Sequence, residues 1–175
     1  MKSDNPPQRI AIIGNAASGK TRLARRLGEK YHLPVTHIDS VQFIPPMNIR
    51  PLEETRKILN DITAQESWII DGFGPLDLLE KRFARADKII FIDLPLKTNI
   101  IWFLKRQIRN LWSPRAELPP GCDERSLRHT LKVLSSMRKM HEQMRPELIR
   151  ILNREGLKNK LQYVTDSREL SQLTS

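Results

Sequence analysis

Gly14-Asn15-Ala16-Ala17-Ser18-Gly19-Lys20-Thr21 decides how this chain folds. Its spacing is G-x-x-x-x-G-K-T, that of a phosphate-binding loop. Two glycines let the backbone curl until successive N–H groups point into one concavity that a phosphate fills. A helix starting at the second glycine adds the positive end of its dipole. Lys20 then reaches the β- and γ-phosphates of a triphosphate such as ATP, and the Thr21 hydroxyl binds Mg²⁺.

The flanks carry what such a loop needs. Before it, Arg9-Ile10-Ala11-Ile12-Ile13 is a short apolar run, as a buried parallel strand should be. After it, Leu23, Leu27 and Tyr31 recur every fourth residue among Arg22, Arg25, Arg26 and Lys30, which is an amphipathic helix.

The length of 175 residues implies one domain, spanning 1–175, with room for a real core. Hydrophobic content of 39% and charged content of 29% fit a globular protein, and no apolar run is long enough to span a membrane. The single cysteine, Cys122, excludes an intramolecular disulfide and a Cys-only zinc site. A reducing, cytoplasmic setting is the expectation. The net charge of +10 suits anionic partners, nucleotides or nucleic acid, without choosing between them.

Farther along, strands and helices alternate. Val35 to Asp39 reads as a second strand ending in a carboxylate, and Ser40 to Pro51, with three prolines, as a non-helical loop. Glu53 to Gln65 is a helix with Ile58, Leu59 and Ile62 inward. Trp68 to Gly72 is a third strand, Pro75 to Phe83 a short helix, and Lys88 to Asp93 a fourth strand. Thr98 to Trp112 is a helix that buries Ile100, Ile101, Leu104, Ile108 and Leu111 and packs Trp102 and Trp112. Ser113 to Cys122 is a loop, and Asp123 caps a long helix from about Glu124 to Asn153, bent near Pro146. Leu161 to Thr165 and Ser167 to Leu173 are a last strand and helix. The alternation implies a parallel sheet with right-handed crossovers.

Together, Gly14 to Thr21, Trp68-Ile69-Ile70-Asp71-Gly72, the Pro120-Gly121-Cys122 loop and Arg145-Pro146 resemble the adenylate-kinase-like P-loop proteins, and more narrowly the small group called DNA topology modulation proteins. The resemblance implies a three-layer α/β fold with a five-stranded parallel sheet in order 2-3-1-4-5. It implies an acceptor-binding segment at about 40–66 and a short lid at about 113–123. Nucleoside monophosphate kinases usually carry Asp-Gly-Phe-Pro-Arg after the third strand. Here the residues are Asp71-Gly72-Phe73-Gly74-Pro75, so the arginine for the acceptor's phosphate is missing.

By resemblance Asp71 is the acidic partner of the Mg²⁺ hydration shell, a cation that prefers carboxylates and retained waters. Asp93 competes for that role, with a turn before Pro95 as its other reading. Asp39 sits where related small-molecule kinases orient the acceptor, and it can take the proton of an attacking hydroxyl; His37 lies on the same side. Arg106 and Arg109, three apart, share a helix face before the lid loop, and Arg115 is in that loop. Arg138 and Arg145, seven apart, share a face after it. Such arginines would point at a transferring phosphoryl group. The expected activity is an ATP- and Mg²⁺-dependent phosphotransferase of nucleoside-monophosphate-kinase type, acting on a nucleotide or small hydroxylated acceptor. The alternative is a nucleic-acid-associated NTP-binding protein; the charge favours it, but no nucleic-acid-binding motif accompanies it.

Overall fold

The computed structural model describes residues 6–112, 117–122 and 124–173. Strand β1 (Arg9–Gly14) lies at the centre of the main sheet and feeds the glycine loop and then helix α1 (Lys20–Tyr31). Strand β2 (Val35–His37) stops two residues earlier than its sequence predicts. Ile38–Gln42 forms the short helix α2, so Asp39 sits in a first helical turn rather than at a strand end. The proline-rich stretch is likewise not a bare loop. Phe43–Ile44 (β3) and Asn48–Ile49 (β4) pair antiparallel as a two-stranded hairpin. Proline punctuates such a pair but does not forbid it at an edge.

Helix α3 (Leu52–Ala64), strand β5 (Trp68–Asp71), helix α4 (Leu76–Arg85), strand β6 (Lys88–Ile92) and helix α5 (Leu96–Asn110) follow. The main sheet has the order β2-β5-β1-β6-β7 with every pair parallel. With the hairpin set aside, this is the expected 2-3-1-4-5. Its last strand is β7 (Leu161–Val164), and helix α8 (Ser167–Leu173) ends the described chain.

Alternation along the strands builds a three-layer core. Ala11, Ile13, Trp68, Ile70, Ile89 and Phe91 face α3, α4 and the arm that ends the chain's long helical run. Ile10, Ile12, Ile69, Ile90, Ile92 and Val164 face α1 and α8. Both faces of these strands are buried, hence the near-continuous apolar runs.

The long helical run is three elements: α6 (Leu127–Lys139), a π-helical turn at Met140–Met144, and α7 (Arg145–Leu152). Pro146 lies in the first turn of α7, inside a continuous helical run, where it supplies no N–H to the turn before it. Ser126 caps α6 by accepting from the His129 N–H, at 3.1 Å; the cap expected at Asp123 falls outside the described residues.

Helix α5 packs the opposite way from its apolar periodicity. Its buried residues are Asn99, Phe103 and Asn110, while Ile101, Leu104, Ile108 and Leu111 are exposed and Trp112 is 78% exposed. Polar bonds hold it there: Asn99 Nδ2 donates to the Leu94 carbonyl (3.3 Å) and Asn110 Nδ2 to the buried Glu124 carboxylate (3.4 Å). The helix packs on α6, and its Trp102, Arg106 and Arg109 line the cavity described next.

Candidate active site

The phosphate-binding loop sits at the carboxyl end of β1, where open parallel sheets place their ligands. Two glycines are structurally required. A Cβ on Gly14 would lie 2.5 Å from the Ile92 carbonyl oxygen. Gly19 adopts a φ of +91° at the start of α1, and a Cβ there would meet Leu170 at 2.9 Å. Ala17 is also left-handed, with φ 56°, a conformation that costs an L-residue about 1–2 kcal/mol and recurs at functional turns. No side chain caps the first turn of α1, which leaves its N–H groups facing the loop's hollow.

Asn15 ties this loop to the rest of the site. Its Oδ1 accepts from the Ala16 N–H (2.8 Å) and its Nδ2 donates to the Met137 carbonyl of α6 (2.9 Å). Ser18 Oγ is buried with no hydrogen-bond partner, and Lys20 Nζ donates to the Asn15 carbonyl at 2.6 Å. A buried hydroxyl and an ammonium within the curl of a glycine loop fit phosphate oxygens.

Asp71 closes β5 next to β1, paired with Ile12, and is 3% exposed. Its Oδ2 accepts from Thr21 Oγ1 (3.0 Å) and its Oδ1 lies 2.6 Å from His37 Nδ1. A threonine hydroxyl and one carboxylate side by side fit Mg²⁺, which keeps most of its waters. Among the described residues no cluster of three or more His, Cys, Asp or Glu could hold a metal by itself.

A cavity of about 1050 Å³ opens over the loop and takes in Gly14 to Thr21, Asp39, Asp71, Arg106 and Arg109. Asp93 does not share in it. Its carboxylate receives Arg145 through Nε and Nη2, both at 2.7 Å, and the bonded carboxylate raises the pKa of Arg145 above its ordinary value. Arg145 is therefore a clamp between α7 and the end of β6. Arg138 points outward and pairs with Glu142 at 2.8 Å. The shared face expected for Arg138 and Arg145 fails because the π-helical turn between them rotates everything beyond it. Arg115 lies outside the described residues.

Several lining residues carry no motif. Phe43 comes from the hairpin, Phe73 from the loop after β5, and Met140 and Met144 from the π-helical turn. Glu124, 7% exposed, links α5 to α6 through Asn110 and His129. Arg82 is missed altogether by sequence reasoning. It is 4% exposed and donates through Nη2 to the carbonyls of Gly72 (2.8 Å) and Phe73 (3.1 Å). Burial lowers its pKa to about 10, opposed by the charge of Asp71, so it remains a cation at neutral pH. The signal was an arginine one position from Phe83 on the apolar side of α4.

No family model matches this chain, and no curated protein matches it. Solved structures do. A shikimate kinase from Acinetobacter baumannii in complex with shikimate is 14% identical, with a TM-score of 0.59 over 94% of this chain and 89% of that one. A shikimate kinase from Aquifex aeolicus is 19% identical, with a TM-score of 0.51 over 95% and 90%. A gluconokinase from Sinorhizobium meliloti is 13% identical, with a TM-score of 0.52 over 96% and 87%. At these identities the likeness is one of fold: a five-stranded parallel sheet between helices, with the glycine loop after its first strand, is the P-loop kinase fold.

Proposed function

We propose that the protein is an ATP-dependent phosphotransferase that uses Mg²⁺ and phosphorylates a small hydroxylated molecule. One observation carries the reading: Thr21 and Asp71 are bonded directly beneath the glycine loop, in the cavity that also holds Asp39. That is a donor site and a proton acceptor in one enclosure. Phosphoryl transfer asks for positioning and charge neutralisation more than for covalent chemistry by the protein.

The roles divide as follows. Gly14 to Lys20 hold the phosphates of ATP, and Thr21 and Asp71 hold Mg²⁺, whose charge offsets that of the phosphates. Asp39 receives the proton of the acceptor hydroxyl. Arg106 and Arg109, near the end of α5, stabilise the charge spread over the transferring group; the lid expected at about 113–123 falls partly outside the described residues. The landmarks quoted above support kinship with the DNA topology modulation group. A nucleic-acid role has only the net charge of +10 behind it.

Incubation with γ-labelled ATP, Mg²⁺ and a metabolite mixture tests this reading. Label should appear in an organic phosphate, and chelation of Mg²⁺ should stop it. Normal ATP binding with label found only in inorganic phosphate would sink it.

A further inference from the structure

Charge is spread unevenly over this chain. Helix α5 carries Lys97, Lys105, Arg106 and Arg109, and α6 carries Arg128, Lys132, Arg138 and Lys139; neither holds an Asp or Glu. The remaining residues bring 22 basic and 20 acidic side chains, so these two helices account for eight of the ten net positive charges. Part of that charge is committed elsewhere. Arg106, Arg109 and Lys139 line the cavity over the glycine loop, and Arg138 pairs with Glu142 at 2.8 Å. Lys97, Lys105, Arg128 and Lys132 stand outside the cavity and are exposed.

The same two helices, packed on each other, present bulky apolar side chains to the outside. On α5 these are Ile101, Leu104 and Ile108, continued just past its end by Leu111 and Trp112. Steps of three and four keep them on one face. On α6 they are Leu127 and Leu131, one turn apart and 73% and 59% exposed. Lys97 and Lys105 lie one turn to either side of Ile101, and Arg128 and Lys132 each directly follow an exposed leucine. Apolar surface of this extent on a monomer marks an interaction site.

The charge decides which partner fits. A second copy would set its own excess of cations against this one, and like charges placed opposite each other disfavour the pair. A nucleic-acid backbone would satisfy the cations and leave the aliphatic side chains in water. The surface of an anionic bilayer meets both needs. Its phosphates take the lysines and arginines, its acyl boundary takes the apolar side chains, and tryptophan favours the level between them.

We propose that α5 and α6 form a docking face for a bilayer of anionic phospholipid. Ile101, Leu104, Ile108, Leu111 and Trp112 enter at the headgroup level, and the four exposed cations lie against the phosphates. The attachment is peripheral, since among the described residues no helix is long and apolar enough to cross a membrane. It does not depend on the kinase reading.

The test mixes the full chain with vesicles of phosphatidylglycerol and phosphatidylcholine in equal parts, or of phosphatidylcholine alone, and sediments them. At ~0.1 M salt, binding to the anionic vesicles should be about tenfold tighter or more, and it should weaken as salt rises. Lys97→Gln with Lys105→Gln should weaken it by about 25-fold, about fivefold for each cation lost. Lys57→Gln with Lys81→Gln removes the same charge from exposed positions on α3 and α4; screening over that distance should hold its effect to about twofold. Ile108→Ser with Trp112→Ser should weaken binding by about tenfold or more, and thermal melts show that each variant is folded. Tryptophan emission should shift to the blue on anionic vesicles, and Trp112→Phe should still bind but lose the shift. Failure to bind anionic vesicles overturns the proposal. So does an equal loss in the α3 and α4 variant, or binding indifferent to Ile108→Ser with Trp112→Ser. Duplex DNA bound more tightly than the vesicles, or a dimer in solution that Ile108→Ser dissolves, gives the face to another partner and overturns it as well.

Discussion

Asp71 is the residue on which most of the site converges. It ends β5, accepts from Thr21 and sits 2.6 Å from His37, and the buried guanidinium of Arg82 holds the two carbonyls that follow it. Asp71→Asn keeps the shape and removes the charge. The expected result is a fall in kcat of at least ~10²-fold with the Mg²⁺ concentration for half-maximal rate raised, since a metal-bound oxyanion site is worth several kcal/mol. Asp93→Asn should instead leave Mg²⁺ dependence unchanged and lower the melting temperature, because it strips Arg145 of its bidentate partner. Mg²⁺ titrations of turnover for the two variants separate the roles. Of these residues, Asp71's place at a strand end was legible in the sequence, where a carboxylate follows an apolar run; its metal role came from the resemblance alone. The role of Arg145 was not legible, since its partner is 52 residues away and no local pattern announces it.

Elements show where pattern and packing part company. The first strand, loop and helix follow from spacing alone, because only that backbone path satisfies both glycines and the apolar periodicity. Helix α5 does not follow, because it carries two apolar stripes and tertiary bonds at Asn99 and Asn110 select the smaller one. Phe103→Ala should therefore cost about 3–5 kcal/mol, the range for truncating a buried aromatic. Ile108→Ser, at a site 60% exposed, should change stability by about 0.5 kcal/mol or less. Urea unfolding of both variants checks the orientation of the helix. The proline-rich hairpin and the π-helical turn were equally illegible, since neither changes hydrophobic periodicity enough to show. At the start of the sheet, Asp87 joins β1 to β6 by accepting from the N–H of Gln8 and of Arg9 (3.1 and 2.9 Å) and from the Arg9 guanidinium. Burial pushes its carboxyl up, but these bonds together outweigh burial and hold it below the usual carboxylate range. A depressed folded-state pKa contributes stability above the unfolded value, near 3.9 for aspartate, and that contribution disappears as pH falls through the folded value. Asp87→Asn should thus destabilise the protein by about 1–2 kcal/mol at pH 7, and the gap to the parent should narrow as pH falls below the unfolded-state value. Denaturant melts across that range measure it.

At the level of the whole molecule, a ligand that binds only the folded chain adds to its stability. Saturation with ATP at about a hundred times its Kd should add about 2.7 kcal/mol by mass action. For a domain of this size that is a rise of about 5–11 °C in melting temperature. Lys20→Ala should abolish most of the rise, and differential scanning calorimetry of both proteins with and without ATP reads it directly. Among the described residues no helix is long and apolar enough to cross a membrane. The arm itself is pinned on both sides of its π-helical turn, by Asn15 to the Met137 carbonyl and by Arg145 to Asp93. One residue of slack separates those two anchors from an ordinary helical count. Excising a single position from Met140–Met144 would take up that slack and leave an ordinary helix with both anchors still in register, whereas excising a second would screw the distal half of the arm round by about 100° and force one anchor to be surrendered. One residue is therefore the length by which any redesign can shorten the arm.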